Sequence, residues 1–205
     1  PLIYREIMYQ TKNLMDRSLS QSQRLLHLRG RPKILLTPNY ETAQKFIKKY
    51  KNNMIGVISD VRFPKNGIKD PEAGLKFAKW VRKIDPSLPI MLQSTDEENM
   101  KMAKEVNATF LHKGSKTLLT DLRNFITENF GFGDFIFRTS NKKEVGRATT
   151  IDEFRIGIEE IPVESLLYHA SKHHFSNWLA ARTEFKLASK LRPVYVHEFD
   201  SGELL

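Results

Sequence analysis

The sequence of 205 residues contains no cysteine, which excludes a disulfide framework, a thiolate nucleophile and a cysteine-ligated zinc site. It also lacks any run near the roughly 20 uninterrupted apolar residues that a bilayer crossing needs, and its first residues do not read as a signal peptide. Apolar residues make up 40% and charged residues 28% of the chain, as is typical of soluble globular proteins. We therefore expect a cytoplasmic protein without a membrane partner.

Acidic residues are few compared with basic ones, and the formal net charge is +9. An excess of this size can attract nucleic acid or another polyanion. The lysines, however, are spread over several predicted helices, for example Lys45 and Lys48 on one and Lys101 and Lys104 on another. This spread is typical of solvated helix faces and argues against nucleic acid as a partner.

Proline and glycine are absent between about residues 3 and 27, and the apolar residues there recur at helical spacing. This pattern predicts one long amphipathic helix. After Gly30 and Pro32, short apolar runs alternate with amphipathic segments. Strands are predicted at residues 33–37, 54–59, 90–93 and 109–112, and helices at residues 40–50, 71–84, 97–106 and 116–129. The alternation predicts an α/β fold whose parallel sheet is covered by helices on both faces.

The pattern changes after the glycine-containing segment FGFGD at residues 130–134. A hairpin is predicted from residues 135–137 and 144–148, followed by helices over residues 151–161 and 164–191. We therefore predict two domains. Residues 1–130 form the sheet domain, and residues 131–205 form a small, mostly helical α+β module with a tail.

Polar side chains follow three of the predicted strands: Asp60, Ser94 and Lys113. The carboxyl ends of parallel strands meet at one edge of a sheet, where ligands bind. A carboxylate nucleophile, a hydroxyl donor and a lysine that pairs with phosphoryl oxygens together suit phosphoryl transfer. Mg²⁺, which prefers oxygen ligands, would offset the negative charge. Alternatively, Asp60 begins an ordinary loop, Ser94 caps a helix and Lys113 is a solvated lysine.

Further residues lie at characteristic sequence spacings from these three. They are Pro64, Gly67 and Gly74 after Asp60, Pro89 before Ser94, and Phe110 before Lys113. Together they resemble the receiver domain of response regulators over about residues 33–129. The resemblance implies a flavodoxin-like fold and two-component phosphorelay signalling. It implies these roles: Asp60 as phosphoacceptor, Ser94 as switch hydroxyl, Phe110 as switch aromatic, Lys113 as the phosphoryl-pairing lysine, and Asp60 with the Arg62 carbonyl as Mg²⁺ ligands. A histidine kinase or phosphotransfer protein would be the phosphodonor, and a homodimer is a further option.

The chain departs from the receiver pattern in three places. The loop over residues 64–74 is longer than usual, Gly114 follows Lys113 where the family has proline, and the acidic pair that binds the metal is absent. That pair normally ends the first strand. Only one helix separates residues 33–37 from the Asp60 strand, so residues 33–37 are predicted to be the second strand. The first strand is then expected upstream of residue 1.

A second resemblance covers nearly the whole chain. The sequence segments on which it rests are LIYREIMYQT, RPKILL, GVISDVRFP, DPEAGLKFA, FGFGDFIF and ESLLYHASKHHFSNWLAARTEFKLA. They resemble the N-terminal regulatory region of bacterial phosphoenolpyruvate-synthase or pyruvate, phosphate dikinase-like proteins. The resemblance implies that the downstream catalytic domains are partners and that this chain itself performs no turnover. A phosphorylation-incompetent scaffold for that enzyme is the alternative.

Three histidines lie close together in the C-terminal part: His169, His173 and His174. Four-residue spacing on one helix can bind a transition metal, but no third ligand is evident and there is no HExxH motif. A packing or surface role is therefore favoured.

Basic residues on the predicted helix 164–191 suggest a DNA-binding response regulator as a further alternative: Arg182, Lys186, Lys190 and Arg192. The preceding helix lacks a tight glycine-containing turn, and its Glu159 and Glu160 would repel phosphates. The sequence therefore argues against this alternative.

Overall fold

The computed structural model describes residues 2–17 and 33–192. The chain divides into two compact units, one of Lys33–Phe125 and one that combines Pro1–Pro32 with Ile126–Leu205. The N-terminal helix α1 (Leu2–Arg17) belongs to the second unit. The sequence-based division at residue 130 instead grouped this helix with the sheet. The remainder of the predicted helix over residues 3–27 lies outside the described residues.

The first unit is an α/β unit built on a parallel sheet, as predicted. Its elements are α2 (Tyr40–Tyr50), a 3₁₀ turn (Lys51–Asn53), β1 (Val57–Asp60), β2 (Phe63–Lys65), β3 (Ile68–Asp70), α3 (Ala73–Ile84), β4 (Ile90–Ser94), α4 (Asn99–Glu105), β5 (Thr109–His112) and α5 (Leu118–Glu128). Three strands, in the order β1-β4-β5, form the parallel sheet. The core of this unit consists of the apolar side of the sheet and the apolar faces of α2 and α3.

The sequence explains the two helices that flank the core. Asn39 begins α2, because its side chain accepts a hydrogen bond from the Thr42 N–H at 2.9 Å and so satisfies one of the free donors of the first turn. On α3 the buried positions include Phe77 and Val81, which lie four residues apart and therefore on one face of the helix. Burial of each such side chain stabilises the fold by about 1.5–3 kcal/mol.

The predicted strand at residues 33–37 is wrong, because this segment forms neither helix nor strand. Leu36 in this segment is 86% exposed. Within the described residues, β1 is the end strand of the sheet and residues 33–37 pair with no strand. A strand requires a neighbour to satisfy its backbone hydrogen-bonding groups, so an apolar run without a partner does not form one.

A short antiparallel hairpin, β2–β3, follows Asp60. The sequence analysis interpreted this segment as part of a long loop. Asn66 and Gly67 form its turn with φ of 51° and 76°, the left-handed conformation that a two-residue hairpin turn needs. The hairpin is attached to α2, since the Asn66 N–H donates to Glu41 Oε1 at 2.9 Å and the Phe63 ring stacks on Tyr40.

The second unit continues with a hairpin and four helices in its described residues: β6 (Phe135–Arg138), β7 (Glu144–Ala148), α6 (Ile151–Glu160), α7 (Val163–Ser171), α8 (His174–Ala181) and α9 (Phe185–Leu191). The predicted hairpin and the predicted helix over residues 151–161 are confirmed. The predicted single helix over residues 164–191 is wrong. His173 and Thr183 have φ of 56° and 64°, and such left-handed residues interrupt a right-handed helix.

An aromatic core holds this unit together. The rings of Phe135, Phe137, Phe154, Phe175 and Trp178 pack against one another in stacked and edge-to-face pairs, the arrangements that aromatic pairs prefer. Across the described part of the chain, no helix has both the length and the apolar character needed to span a membrane.

Candidate functional site

The carboxyl ends of the three parallel strands bring the predicted residues to one edge of the sheet. Asp60 lies opposite Gln93, the residue before Ser94. The hydrogen bonds continue one step beyond the strands, because the Val61 N–H donates to the Gln93 carbonyl at 3.1 Å and the Lys113 N–H donates to the Ser94 carbonyl at 2.8 Å. Asp60, Ser94 and Lys113 therefore end three adjacent strands at the same edge.

Asp60 and Lys113 form an ion pair across this edge, with Lys113 Nζ 2.8 Å from Asp60 Oδ1. Oδ1 is shielded from solvent and makes no well-aligned hydrogen bond, so the ammonium is its contact. The Asp60 side chain as a whole is nevertheless 42% exposed. Its exposure therefore lies on side-chain atoms other than Oδ1.

The Ser94 hydroxyl accepts two hydrogen bonds, from the Asp96 N–H at 3.1 Å and from Asn99 Nδ2 at 3.1 Å. A hydroxyl has two lone pairs and one O–H. Both lone pairs are thus engaged, and the O–H is the group that Ser94 can still donate. Ser94 does not cap the next helix, because α4 begins at Asn99 and Glu98 occupies its N-cap position.

The other two predicted residues flank this edge without contacting the pair. Phe110 lies in β5, partly buried against the core of the first unit. Arg62 is exposed between Val61 and β2. Phe110 is therefore packed as a core aromatic, and the Arg62 backbone stands one residue beyond the end of the ladder.

Gly74 lets the start of α3 approach the backbone at the end of β1. A Cβ at this position would lie 2.2 Å from the Asp60 carbonyl oxygen and 2.8 Å from Val61 Cα. The Gly74 N–H donates to the Val61 carbonyl at 2.8 Å. The sequence singled out Gly74 only by its distance from Asp60; its packing role needs the three-dimensional contact.

The donor atoms at this edge can be compared with the needs of Mg²⁺, which requires near-octahedral oxygen coordination. Within residues 2–17 and 33–192, no three His, Cys, Asp or Glu side chains form a group that could hold a metal ion. The Lys113 ammonium also occupies one oxygen of Asp60. The described donor set, Asp60 with the Arg62 carbonyl, therefore does not fit a preformed Mg²⁺ site.

The histidines of the second unit form a hydrogen-bonded pair instead of the predicted spacing on one helix. α7 ends at Ser171, so His173 lies in the turn after it, whereas His169 Nδ1 lies 2.9 Å from His174 Nδ1. The Arg138 N–H donates to His169 Nε2 at 2.8 Å. Nε2 is thus an acceptor, so the neutral His169 ring carries its proton on Nδ1 and donates it to His174.

Burial lowers the pKa of His169 to about 4 and that of His174 to about 3, and the neighbouring cations Arg138 and Lys172 act in the same direction. Both rings are therefore neutral near pH 7. Their role is structural, and the favoured packing interpretation agrees with this arrangement.

Arg182 cannot serve as a nucleic-acid contact, because its side chain is buried with 2% exposure. Its guanidinium donates to the carbonyls of Gly131 and Gly133 at 2.8 and 3.0 Å and lies 3.4 Å from the centre of the Trp178 ring. The break at Thr183 also separates it from the helix that carries Lys186. No local sequence pattern indicates this burial, since the accepting carbonyls lie about 50 positions earlier.

Comparisons with known proteins yield no relative, because no family model, curated protein or solved structure matches this chain.

Proposed function

We propose that residues 33–125 form a receiver-type regulatory domain in which Asp60 accepts a phosphoryl group. The observation that carries this proposal is the Asp60–Lys113 ion pair at the carboxyl edge of a parallel sheet, where Ser94 ends the strand between them. Carboxylate, ammonium and hydroxyl have separate electrostatic tasks in phosphoryl transfer, and here they end adjacent strands.

The finer fold assignment, a flavodoxin-like receiver domain, is part of the same proposal. The parallel order β1-β4-β5 agrees with the last three strands of such a sheet. The Mg²⁺ that the resemblance implies would need oxygen ligands beyond the described donor set, Asp60 with the Arg62 carbonyl.

The proposed reaction follows from the positions of the side chains. A carboxylate oxygen of Asp60 attacks phosphorus, a bond forms between them, and the bond from phosphorus to the donor's leaving group breaks with its electron pair. Lys113 moves from pairing with the carboxylate to pairing with the phosphoryl oxygens, which offsets the charge that the new group brings. The Ser94 O–H donates a hydrogen bond to one of those oxygens. A change in packing around Phe110 and α5 would then carry the signal.

The partners follow from the two resemblances and are proposals as well. The phosphodonor would be a histidine kinase or a phosphotransfer protein. The output would reach the downstream catalytic domains of a phosphoenolpyruvate-synthase-like protein, of which this chain would be the regulatory part. The chain itself would perform no turnover.

The proposal is tested by incubating the full chain with acetyl phosphate and Mg²⁺ and measuring its intact mass. We expect the mass of one phosphoryl group to be added in the wild type and in the control Asp152→Asn, which alters an exposed aspartate in the first turn of α6. We expect no addition in Asp60→Asn. Addition to Asp60→Asn at the wild-type level would refute Asp60 as the acceptor.

A phosphorylation-incompetent scaffold is the second candidate, and one observation favours it. The described residues supply no group of three side chains that could hold a metal ion, and phosphoryl transfer to a carboxylate concentrates negative charge that needs an offset. The scaffold predicts no added mass in the wild-type chain in the same experiment. Modification at Asp60 would exclude it.

A further inference from the structure

The His112 side chain joins the ends of the two strands that precede Lys113 and contain Ser94. Its Nε2 lies 2.9 Å from the Thr95 carbonyl oxygen. A carbonyl oxygen only accepts hydrogen bonds, so Nε2 carries the proton and donates it. His112 is the last residue of β5, and Thr95 is the first residue after β4. The bond therefore continues the pairing of β4 with β5 beyond the strand ends, through a side chain instead of the backbone.

The peptide group between Thr95 and Asp96 makes a hydrogen bond at each of its two ends. Its carbonyl accepts from His112 Nε2, and its N–H donates to Ser94 Oγ at 3.1 Å. A peptide group is planar and rigid, so the direction of its carbonyl sets the direction of its N–H. Hydrogen bonds in such a chain also polarise and strengthen one another. His112 thus acts on the Ser94 hydroxyl through one intervening peptide group.

The direction of the Ser94 O–H depends on which lone pairs of its oxygen are engaged. Asn99 Nδ2 donates to the same oxygen at 3.1 Å, in addition to the Asp96 N–H. With two donors at the oxygen, the hydroxyl proton takes the position that they leave. A rotation of the 95–96 peptide group would withdraw its N–H from Oγ and release the hydroxyl. The peptide group therefore restricts where the Ser94 proton points.

Gly114 provides the space that the His112 ring occupies. A Cβ at position 114 would lie 3.0 Å from Cε1 and 3.4 Å from Nδ1 of His112, and its three nearest atoms all belong to that ring. Carbon atoms pack best at about 3.5–4.0 Å, so another residue at 114 would displace the ring. The backbone does not require glycine here, because the positive-φ glycines of the described residues are Gly67 and Gly131. Glycine at 114 and histidine at 112 therefore belong to one arrangement.

This hydrogen bond adds orientation more than it adds stability. Thr95 and Asp96 are exposed, and water can bind both ends of their peptide group nearly as well as protein atoms do. Loss of the His112 donor would therefore leave the fold intact. What the donor supplies is a single fixed direction for the 95–96 peptide group.

We propose that His112 is a positioning residue of the strand-end site, which orients the Ser94 O–H toward an incoming phosphoryl oxygen through the 95–96 peptide group. This inference rests on the proposed function and deepens it, because it names the group that prepares Ser94 for the reaction. All the contacts that support it lie within the unit of residues 33–125.

The test measures the affinity of the full chain for beryllofluoride, by fluorine NMR in the presence of Mg²⁺. His112→Phe keeps a ring but removes the N–H, and His112→Gln keeps an N–H donor at the end of the side chain. We expect His112→Phe to weaken binding about threefold, as loss of one hydrogen bond does, and His112→Gln to restore it. In the Ser94→Ala background we expect no further weakening by His112→Phe, because the hydroxyl on which His112 acts is gone. Equal weakening in both backgrounds would overturn the proposal.

Gly114→Ala tests the same arrangement by displacing the ring. We expect it to weaken binding about threefold, like the removal of the donor. The matched control is Gly114→Ala in a His112→Ala background, where the added methyl group meets no ring and should have no effect. An equal effect of Gly114→Ala in both backgrounds would contradict the role of the ring.

The amide proton of Asp96 separates failure of this proposal from failure of the proposed function. Proton NMR of the free protein should show this proton shifted upfield in His112→Phe, because its hydrogen bond to Ser94 is weakened, and returned in His112→Gln. If the wild type shows this behaviour but binds no beryllofluoride, the proposed function fails while the orientation of Ser94 by His112 stands. An Asp96 proton that His112→Phe leaves unchanged would overturn the proposal even where beryllofluoride binds.

Discussion

At the scale of single residues, the Asp60–Lys113 ion pair contributes little to stability. The two side chains are 42% and 39% exposed, and ion pairs that are open to water contribute about 0–1 kcal/mol. The pair nevertheless joins the ends of β1 and β5 across the end of β4, and Asp60 Oδ1 is shielded from solvent. Its position therefore favours a chemical role over a structural one.

Gly74 is the residue whose packing most directly fixes the backbone at Asp60. We predict that Gly74→Ala destabilises the first unit by about 3 kcal/mol, because a methyl group at 2.2 Å from the Asp60 carbonyl oxygen forces α3 away from the strand. Urea denaturation followed by circular dichroism measures the change in the free energy of unfolding.

Gly67→Ala is the matched control for this prediction. Gly67 has positive φ but nothing within 4 Å of an added Cβ, so only the conformational cost of about 1 kcal/mol applies. Similar destabilisation by the two substitutions would show that contact with the Asp60 backbone is not what Gly74 provides.

Sequence reasoning located strand-end residues well and buried polar residues poorly. The ends of β4 and β5 follow from short apolar runs, so the sequence alone predicts the positions of Ser94 and Lys113 at the strand ends. The burial of Arg182 depends on carbonyls about 50 residues away and on the left-handed break at Thr183. Neither leaves a pattern in the local sequence.

At the scale of secondary-structure elements, the sequence predicted correctly those helices and strands whose bounds depend on neighbouring residues in the chain. α2 and β5 have the predicted bounds, since a capping residue and apolar spacing suffice there. The strand predicted at residues 33–37 does not form, because a strand needs a neighbouring strand to pair with. The sequence contains a local signal for the β2–β3 hairpin, the Asn66–Gly67 turn. The interpretation of residues 64–74 as a long receiver-type loop did not use this signal.

The His169–His174 pair links α7, α8 and β6, and it predicts acid sensitivity of the second unit. The pKa values of both histidines are lowered by folding, to about 4 and about 3, so the unfolded chain binds more protons below pH 6.5. The stabilising contribution is complete above pH 6.5 and is lost as the pH falls toward 4. We expect a loss of about 3 kcal/mol per histidine, or about 6 kcal/mol for the pair, over this range.

Denaturant titrations at a series of pH values, followed by near-ultraviolet circular dichroism of the aromatic core, measure this loss. His173→Asn is the control, because asparagine tolerates the left-handed backbone at this position and the pair stays intact. The double variant His169→Gln, His174→Gln should show a shallower dependence on pH. An unchanged slope in the double variant would contradict the assignment.

At the scale of the whole molecule, the chain consists of two compact units that carry different features. Residues 33–125 contain the Asp60–Lys113 ion pair at the strand ends, and the other unit contains the aromatic core and the buried Arg182. The sequence indicated two parts and a boundary near the FGFGD segment. It did not indicate that α1 belongs with the C-terminal unit, because that grouping joins segments more than 100 residues apart.

The central claim is that the side chains of Asp60, Ser94 and Lys113 form one phosphoryl-binding site. Fluorine NMR of the full chain with beryllofluoride and Mg²⁺ tests it directly, because this analogue binds a carboxylate as a phosphoryl group would. We predict a bound signal that Asp60→Asn abolishes and that Ser94→Ala and Lys113→Met each shift or weaken at least threefold, in keeping with about 0.5–1.5 kcal/mol per hydrogen bond. The claim would be contradicted by a bound signal that persists in Asp60→Asn. It would also be contradicted by a bound signal that neither Ser94→Ala nor Lys113→Met changes.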